Sequence, residues 1–255
     1  MSDPKVSIII PNYNSPQIID ICLRTLEMTE GIPYEVVVVD NASDEETVRQ
    51  LRHHKEEGRI TTLVENPENS LYSGGCNIGV QHANPSSEFF LLLNSDIGFL
   101  RCDWLVKLVA WAEGTIEYKP SVWGLKPAQP DPGPRDIVSA GFSWDPSVLP
   151  SLCRPEGFCL LIRRSVWRDM SMDLPWHGGM EEAVAQSIRD GAKCGVLSQY
   201  PPFFVHREGA SGTSSIPPNA NKRKPDIAGW FSGLRVETLD FYFGPDEHDS
   251  YLDWT

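Results

Sequence analysis

Four short and nearly continuous apolar runs in the first 114 residues each break off into a cluster of small polar residues. "KVSIIIP" gives way to Asn12, Tyr13 and Asn14, and "YEVVVVD" ends in Asp40 before Asn41, Ala42 and Ser43. "RITTLVEN" ends in Asn66, and "EFFLLLN" runs into Asn94, Ser95 and Asp96. Apolar runs without alternation belong to strands buried on both faces, as in a parallel sheet covered by helices on each side. Such a chain has few other ways to fold.

The segments between the runs carry helical spacing. "SPQIIDICLRTLEM" brings Ile18, Ile19, Cys22, Leu23 and Leu26 to one side, with Ser15 and Pro16 as cap and first turn. "SDEETVRQLRHH" has an acidic first turn and a basic end, matching the helix dipole. "SGGCNIGVQHA" is a glycine-rich entry into a short helix, and "DWLVKLVAWAEG" is the next helix. Strand and helix thus alternate four times. The predicted fold class is α/β, a Rossmann-like, mostly parallel central sheet flanked by helices. Ligands bind such sheets outside the carboxyl ends of the strands, which is where Asn12 to Asn14, Asp40 to Ser43, Asn66 and Asn94 to Asp96 lie.

The texture changes after residue 114. "KPAQPDPGPRD" is too rich in proline for a strand interior and is a loop. "RDIVSAGFSWD" suits a hairpin arm, and "EGFCLLIRRSVW" suits a strand entering a turn or helix. "MEEAVAQSIRDG" predicts a helix stopped by Gly191, and "KCGVLSQYPPFFVH" a strand reaching His206. The expected organisation is one domain over 1–212, with a ligand-binding half at 1–114. Its second half, 115–212, is expected to hold a smaller mixed sheet, and 213–255 to form a partly flexible extension.

A net charge of -13 disfavours duplex DNA and anionic membranes, which call for a basic face. Val6 already opens an apolar strand, with no basic stretch and long apolar core before it, so no leader is expected. The apolar runs are too short for a transmembrane segment. Six cysteines lie scattered without a Cys-x-x-Cys pair, as reduced thiols of a cytoplasmic protein would.

The strand ends supply candidate chemistry. Asp96 either caps the next turn or meets a divalent cation, since Mg²⁺ or Mn²⁺ on a diphosphate needs only one or two carboxylates from the protein. Asp40 stands too early to cap the following helix, for which Ser43 or Asp44 is better placed. A buried acceptor there suits the N3–H of uracil or thymine and rejects cytosine. Gly74 and Gly75 let a backbone approach a ligand closely, and they lack the spacing of dinucleotide or Walker loops. His206 is either structural or a nitrogen donor to cation or phosphate. Glu181 and Glu182 open a helix, where the dipole favours acids, and a carboxylate facing a cleft there can serve as general base.

In order and spacing, "VSIIIPNYN", "EVVVVDNAS", "NSLYSGGCNIG", "FFLLLNSD", "GFCLLIRRSVW" and "VHREGAS" resemble the family-2 glycosyltransferases of GT-A type fold. The likeness covers about residues 5 to 212 and is nearest to the bacterial rhamnosyltransferase-like, cell-surface polysaccharide subgroup. It implies inverting transfer of a sugar from a nucleotide diphosphate donor to a saccharide hydroxyl, with a divalent metal, Mn²⁺ or Mg²⁺. A UDP-sugar and a dTDP-sugar fit equally well.

Carried onto this chain, the resemblance places Pro11, Asn12 and Tyr13 at the nucleoside, with Asp40 on the base and Asn77 near the diphosphate or ribose. Asn14, Asn41, Ser73 and Gly74 are further candidate donor-binding residues. Asn94, Ser95 and Asp96 replace the family's Asp-x-Asp, and Asp96 and His206 fall on the metal. Three departures stand out. Leu71 replaces a glycine that usually precedes an aromatic residue. Glu181-Glu182 replaces a Glu-Asp pair, with Glu182 aligned to the general base. "MDLPWHGG" replaces the acidic segment before that pair, and its Trp176 and His177 become candidate acceptor contacts; Trp144 offers a further sugar-stacking face. Two rivals remain. A sugar nucleotidyltransferase would want a glycine- and basic-rich loop where "PNYNSP" stands, and an inactive nucleotide-sugar-binding module would lack the base.

Overall fold

Residue parity along the strands decides the layers. In β1 (Val6–Asn12), Val6, Ile8 and Ile10 face one side of the sheet and Ile9 the other. In β2 (Tyr34–Asp40), Val36 and Val38 join the first side and Val37 the second. The first core is covered by α1 (Pro16–Glu27), α2 (Glu45–Glu56) and α4 (Trp104–Glu113). The second is covered by α3 (Leu71–Gln81) and α5 (Gly179–Arg189). Helices on both faces explain why the strands need no polar alternation.

The computed structural model describes residues 3–115, 133–140, 142–143, 154–155, 157–176, 178–200, 204–206, 220–234 and 236–242. The remaining strands are β3 (Thr62–Glu65), β4 (Phe89–Leu93), β5 (Ile97–Phe99), β6 (Ile137–Ser139), β7 (Phe142–Ser143) and β8 (Arg154–Pro155). After them come β9 (Cys159–Arg163), β10 (Cys194–Tyr200), β11 (Phe204–His206), the short helix α6 (Ile227–Phe231) and β12 (Val236–Tyr242). The main sheet has eight strands in the order β12-β10-β6-β9-β4-β1-β2-β3. Every pairing in it is parallel except those of β9 with β4 and β6. Two small antiparallel pairs, β11 with β5 and β7 with β8, complete the strands among the described residues.

Several expectations change. "KCGVLSQYPPFFVH" forms two strands in different sheets, β10 in the main one and β11 against β5. Residues 236–242, expected outside the domain, form the edge of the main sheet, β12 pairing in parallel with β10 over its whole length. Ser15 precedes α1 as expected, but its hydroxyl donates to Asn12 Oδ1 at 2.9 Å and caps nothing. Asp44 does cap α2, accepting from the Thr47 N–H at 2.9 Å. The described cysteines are all free thiols, Cys102 partly exposed and the others buried. Among the described residues no helix is long and apolar enough to cross a membrane.

The glycines of "SGGCNIGVQ" lie inside α3 rather than ahead of it. A Cβ on Gly79 would stand 2.3 Å from Ile9 Cγ2, and one on Gly75 would stand 2.9 Å from Pro11 Cβ. Four residues apart, they form a bare stripe that lets the helix backbone sit directly on β1. Their closest approach is to the sheet.

Candidate active site

The parallel register puts Asn12 level with Asp40 at the carboxyl ends of β1 and β2. Asp40 is 1% exposed, and its Oδ2 accepts from the Ser43 N–H at 3.1 Å. Burial raises its pKa, the Ser43 and Asn12 groups pull it back down, and Glu65 adds a smaller upward push. Neither Asp40 Oδ1 nor Asn12 Nδ2 makes a hydrogen bond of ordinary geometry, although the amide stands near enough to favour the carboxylate.

The loops after β1, β2 and β3 are tied together. Asn14 donates its N–H to Ser43 Oγ at 2.9 Å and accepts from the Asp44 N–H at 2.7 Å. Asn41 accepts from Ser70 Oγ and Asn66 Nδ2 and donates to the Leu71 carbonyl at 3.1 Å. The non-glycine residues with positive φ among the described ones are Asn14 and Ala42, in these loops, and Leu71, where the third loop enters α3. Left-handed backbone costs a residue bearing a Cβ about 1 kcal/mol or more, and such strain gathers at ligand sites.

Over these loops lies a cavity of about 100 Å³ lined by residues including Pro11, Asn12, Tyr13, Asn41, Leu71 and Ser95. It shares Tyr72, Asn94 and Trp176 with a second cavity of about 200 Å³. The second is also lined by Ser73, Phe158, Met180 and Glu181, the last only 8% exposed. Tyr72 donates its hydroxyl to the Gly157 carbonyl at 2.6 Å, and burial holds its pKa well above the usual phenol range. It therefore stays a neutral donor. Trp176, 38% exposed, presents apolar surface to both cavities.

The two glutamates part company. Glu181 faces the second cavity, while Glu182 is ion-paired with Arg223, whose guanidinium also lies over Trp230. The aligned base of the sequence reading is therefore the residue turned to an arginine, and its neighbour is the one at the cleft. Asn77 also departs from expectation. Its Nδ2 donates to the Met170 carbonyl and its Oδ1 accepts from the Met170 N–H, both at 2.9 Å, and it lines neither cavity. Ser73 donates its hydroxyl to the Leu174 carbonyl and its N–H to the Pro175 carbonyl, while Gly74 packs on Ser70. These residues anchor the segment carrying Trp176. His177, Trp144 and the side chain of His206 lie outside what the structure describes.

Asn94 and Ser95 line the first cavity, whereas Asp96 lines a third, apolar cavity of about 370 Å³ with Ile18, Ile21, Ile97, Gly98, Leu100 and Val205. The pairing of β11 with β5 sets His206 opposite Ile97, next to Asp96 in the chain. Residues 110 positions apart are thus neighbours along the backbone. Among the described residues no three of His, Cys, Asp and Glu gather into a cation site. Asp96 offers one carboxylate, the share a cation needs from the protein when a diphosphate and water supply the rest. The sequence reading did not single out Leu71, Tyr72 or Asn69 as cavity walls. The positive φ at Leu71 needed the structure, and the signal for Tyr72 was its place beside the glycines.

Residues 7–116 match the family described as Glycosyl transferase family 2. This stretch of the chain is similar to that family. The fold of the chain is similar to solved structures that share little of its sequence. The mannosyltransferase PcManGT from Pyrobaculum calidifontis, solved with GDP-Man and Mn²⁺, is 20% identical at a TM-score of 0.57 over 79% of this chain and 56% of its own. TarS of S. aureus with UDP is 17% identical at a TM-score of 0.51, over 72% of this chain and 54% of its own. Glucosyl-3-phosphoglycerate synthase from Mycobacterium tuberculosis, solved with Mn²⁺, UDP and phosphoglyceric acid, is 13% identical at a TM-score of 0.51, over 80% of this chain and 71% of its own. The chain thus spans little more than half the length of the first two. These likenesses establish the GT-A fold and distinguish no subgroup. No curated protein matches the sequence.

Proposed function

We propose that the protein is a metal-dependent inverting glycosyltransferase that moves a sugar from a UDP- or dTDP-sugar to a saccharide hydroxyl. The observation that carries this reading is the pair of adjoining cavities. One is walled by strand-end polar residues, the other holds a buried carboxylate, and Tyr72, Asn94 and Trp176 form their common border. The donor nucleoside enters the first cavity, where the base reaches down between Asn12 and Asn41 to give its N3–H to Asp40. The acceptor lies in the second, stacked on Trp176. Glu181 takes the proton of the acceptor hydroxyl as that oxygen bonds to the anomeric carbon and the nucleoside diphosphate departs. Asp96 and His206 would hold a divalent cation, which would supply neutralisation of the leaving diphosphate's charge. The strained loops hold the nucleoside walls in place before the donor arrives, which limits the ordering penalty of binding.

Calorimetric titration with UDP, dTDP, GDP and CDP in Mn²⁺, repeated with chelator, tests the donor site. Binding of UDP or dTDP that weakens on chelation, and weakens again in Asp96→Ala, is the expected result. A folded protein that binds no nucleotide overturns the reading.

A further inference from the structure

Leu71 is the bulky member of the left-handed trio. Asn14 tolerates such a conformation through its short polar side chain, and Ala42 has little side chain to clash. Leu71 has neither relief, yet its φ is +58° and its backbone is fixed on both sides. Its N–H donates to Asn69 Oδ1 at 2.8 Å and its carbonyl accepts from Asn41 Nδ2 at 3.1 Å. Of the three strained residues it is the one that lines the first cavity. A glycine would meet the backbone requirement without strain, so the side chain must earn its place in the wall.

Size indicates what the wall does. The cavity, at about 100 Å³, is smaller than the dry cavity of about 150 Å³ that accepts benzene, so its walls bear closely on the size of the ring it takes. With Pro11, Tyr13 and Tyr72 forming further walls, a one-ring base is accommodated more readily than a fused pair. We propose that Leu71 is a specificity-determining residue that closes the base pocket to purines and so restricts the donor to pyrimidine nucleotides. This inference rests on the donor-site reading above.

The experiment is calorimetric titration of the wild-type chain, Leu71→Gly and Leu71→Asn with UDP, dTDP and GDP, beside a melting curve of each. Wild type is expected to bind UDP or dTDP in preference to GDP. In Leu71→Gly that preference should fall about tenfold or more, mainly through tighter GDP binding, with the melting temperature unchanged or raised. Leu71→Asn relaxes the backbone while leaving a branched side chain in the wall, so it should keep most of the wild-type preference. If wild type binds UDP or dTDP and Leu71→Gly leaves the ratio to GDP unmoved, the wall is not selective and this inference falls alone. If Leu71→Asn loses the preference as fully as Leu71→Gly, relief of strain is the cause and the inference is again overturned. Wild type binding no nucleotide overturns the donor site itself.

Discussion

Arg223 is ion-paired with Glu182, and the immediate chain neighbour of Glu182 lines the cleft. Successive helix positions point about 100° apart, so adjacent glutamates can meet different surroundings. Glu181→Gln should lower kcat by about 10²–10⁴-fold with nucleotide binding retained, the range for loss of a general base. Glu182→Gln should stay within a few-fold of wild type, because an exposed ion pair contributes about 1 kcal/mol or less. Nucleoside diphosphate release under saturating donor separates the two, and the reverse order of effects would remove Glu181 from the mechanism.

The buried carboxyl of Asp40 gives a pH signature. Its folded-state pKa lies above the ordinary value, chiefly from burial, so the folded protein favours the protonated form. Its contribution to stability is fully present below the unfolded pKa and is lost as pH rises through the folded one. Asp40→Asn should remove that loss and stabilise the protein above the window. Pyrimidine binding runs the other way. UDP needs the anion as acceptor, so its affinity should fall as pH drops through the raised pKa. Asp40→Asn should weaken UDP about tenfold or more and favour CDP, whose N3 accepts a hydrogen bond. An Asp40→Asn protein that binds UDP as wild type does would take Asp40 away from the base.

Gly79 is a packing constraint rather than a ligand contact. Gly79→Ala would drive a methyl to 2.3 Å from Ile9 Cγ2, and α3 would have to lift from β1. Overpacking of this kind costs about 1–3 kcal/mol. Urea denaturation should show a lower midpoint with an unchanged slope. A midpoint equal to wild type would mean that the helix does not sit where the structure puts it.

Asn77 should behave as a structural cross-link. Asn77→Ala leaves the Met170 N–H and carbonyl without their amide partner, a loss of about 1–3 kcal/mol. Nucleotide affinity of the folded variant should match wild type in calorimetry at low temperature. A large loss of affinity with no loss of stability would return Asn77 to the diphosphate.

The sequence by itself determined the parallel core and the edge of the sheet where the polar strand ends gather. Continuous apolar runs report burial on both faces, and the polar residue ending each run marks its carboxyl end. Those signals are local, so Asn12, Asp40 and Asn94 could be located before any contact was known. Only the tertiary structure decided how neighbouring or similar residues divide their roles. Glu181 and Glu182 look equivalent until Arg223 arrives from 41 positions away, and Asn77 looks like a ligand residue until Met170 meets it across 93 positions. β12 joins the sheet because β10 offers it an open edge, not because its own pattern announces a buried strand. Leu71 is left-handed because Asn41 and Asn69 hold it there. In each case the deciding partner is distant in the chain or conformational in nature, and periodicity carries neither kind of information.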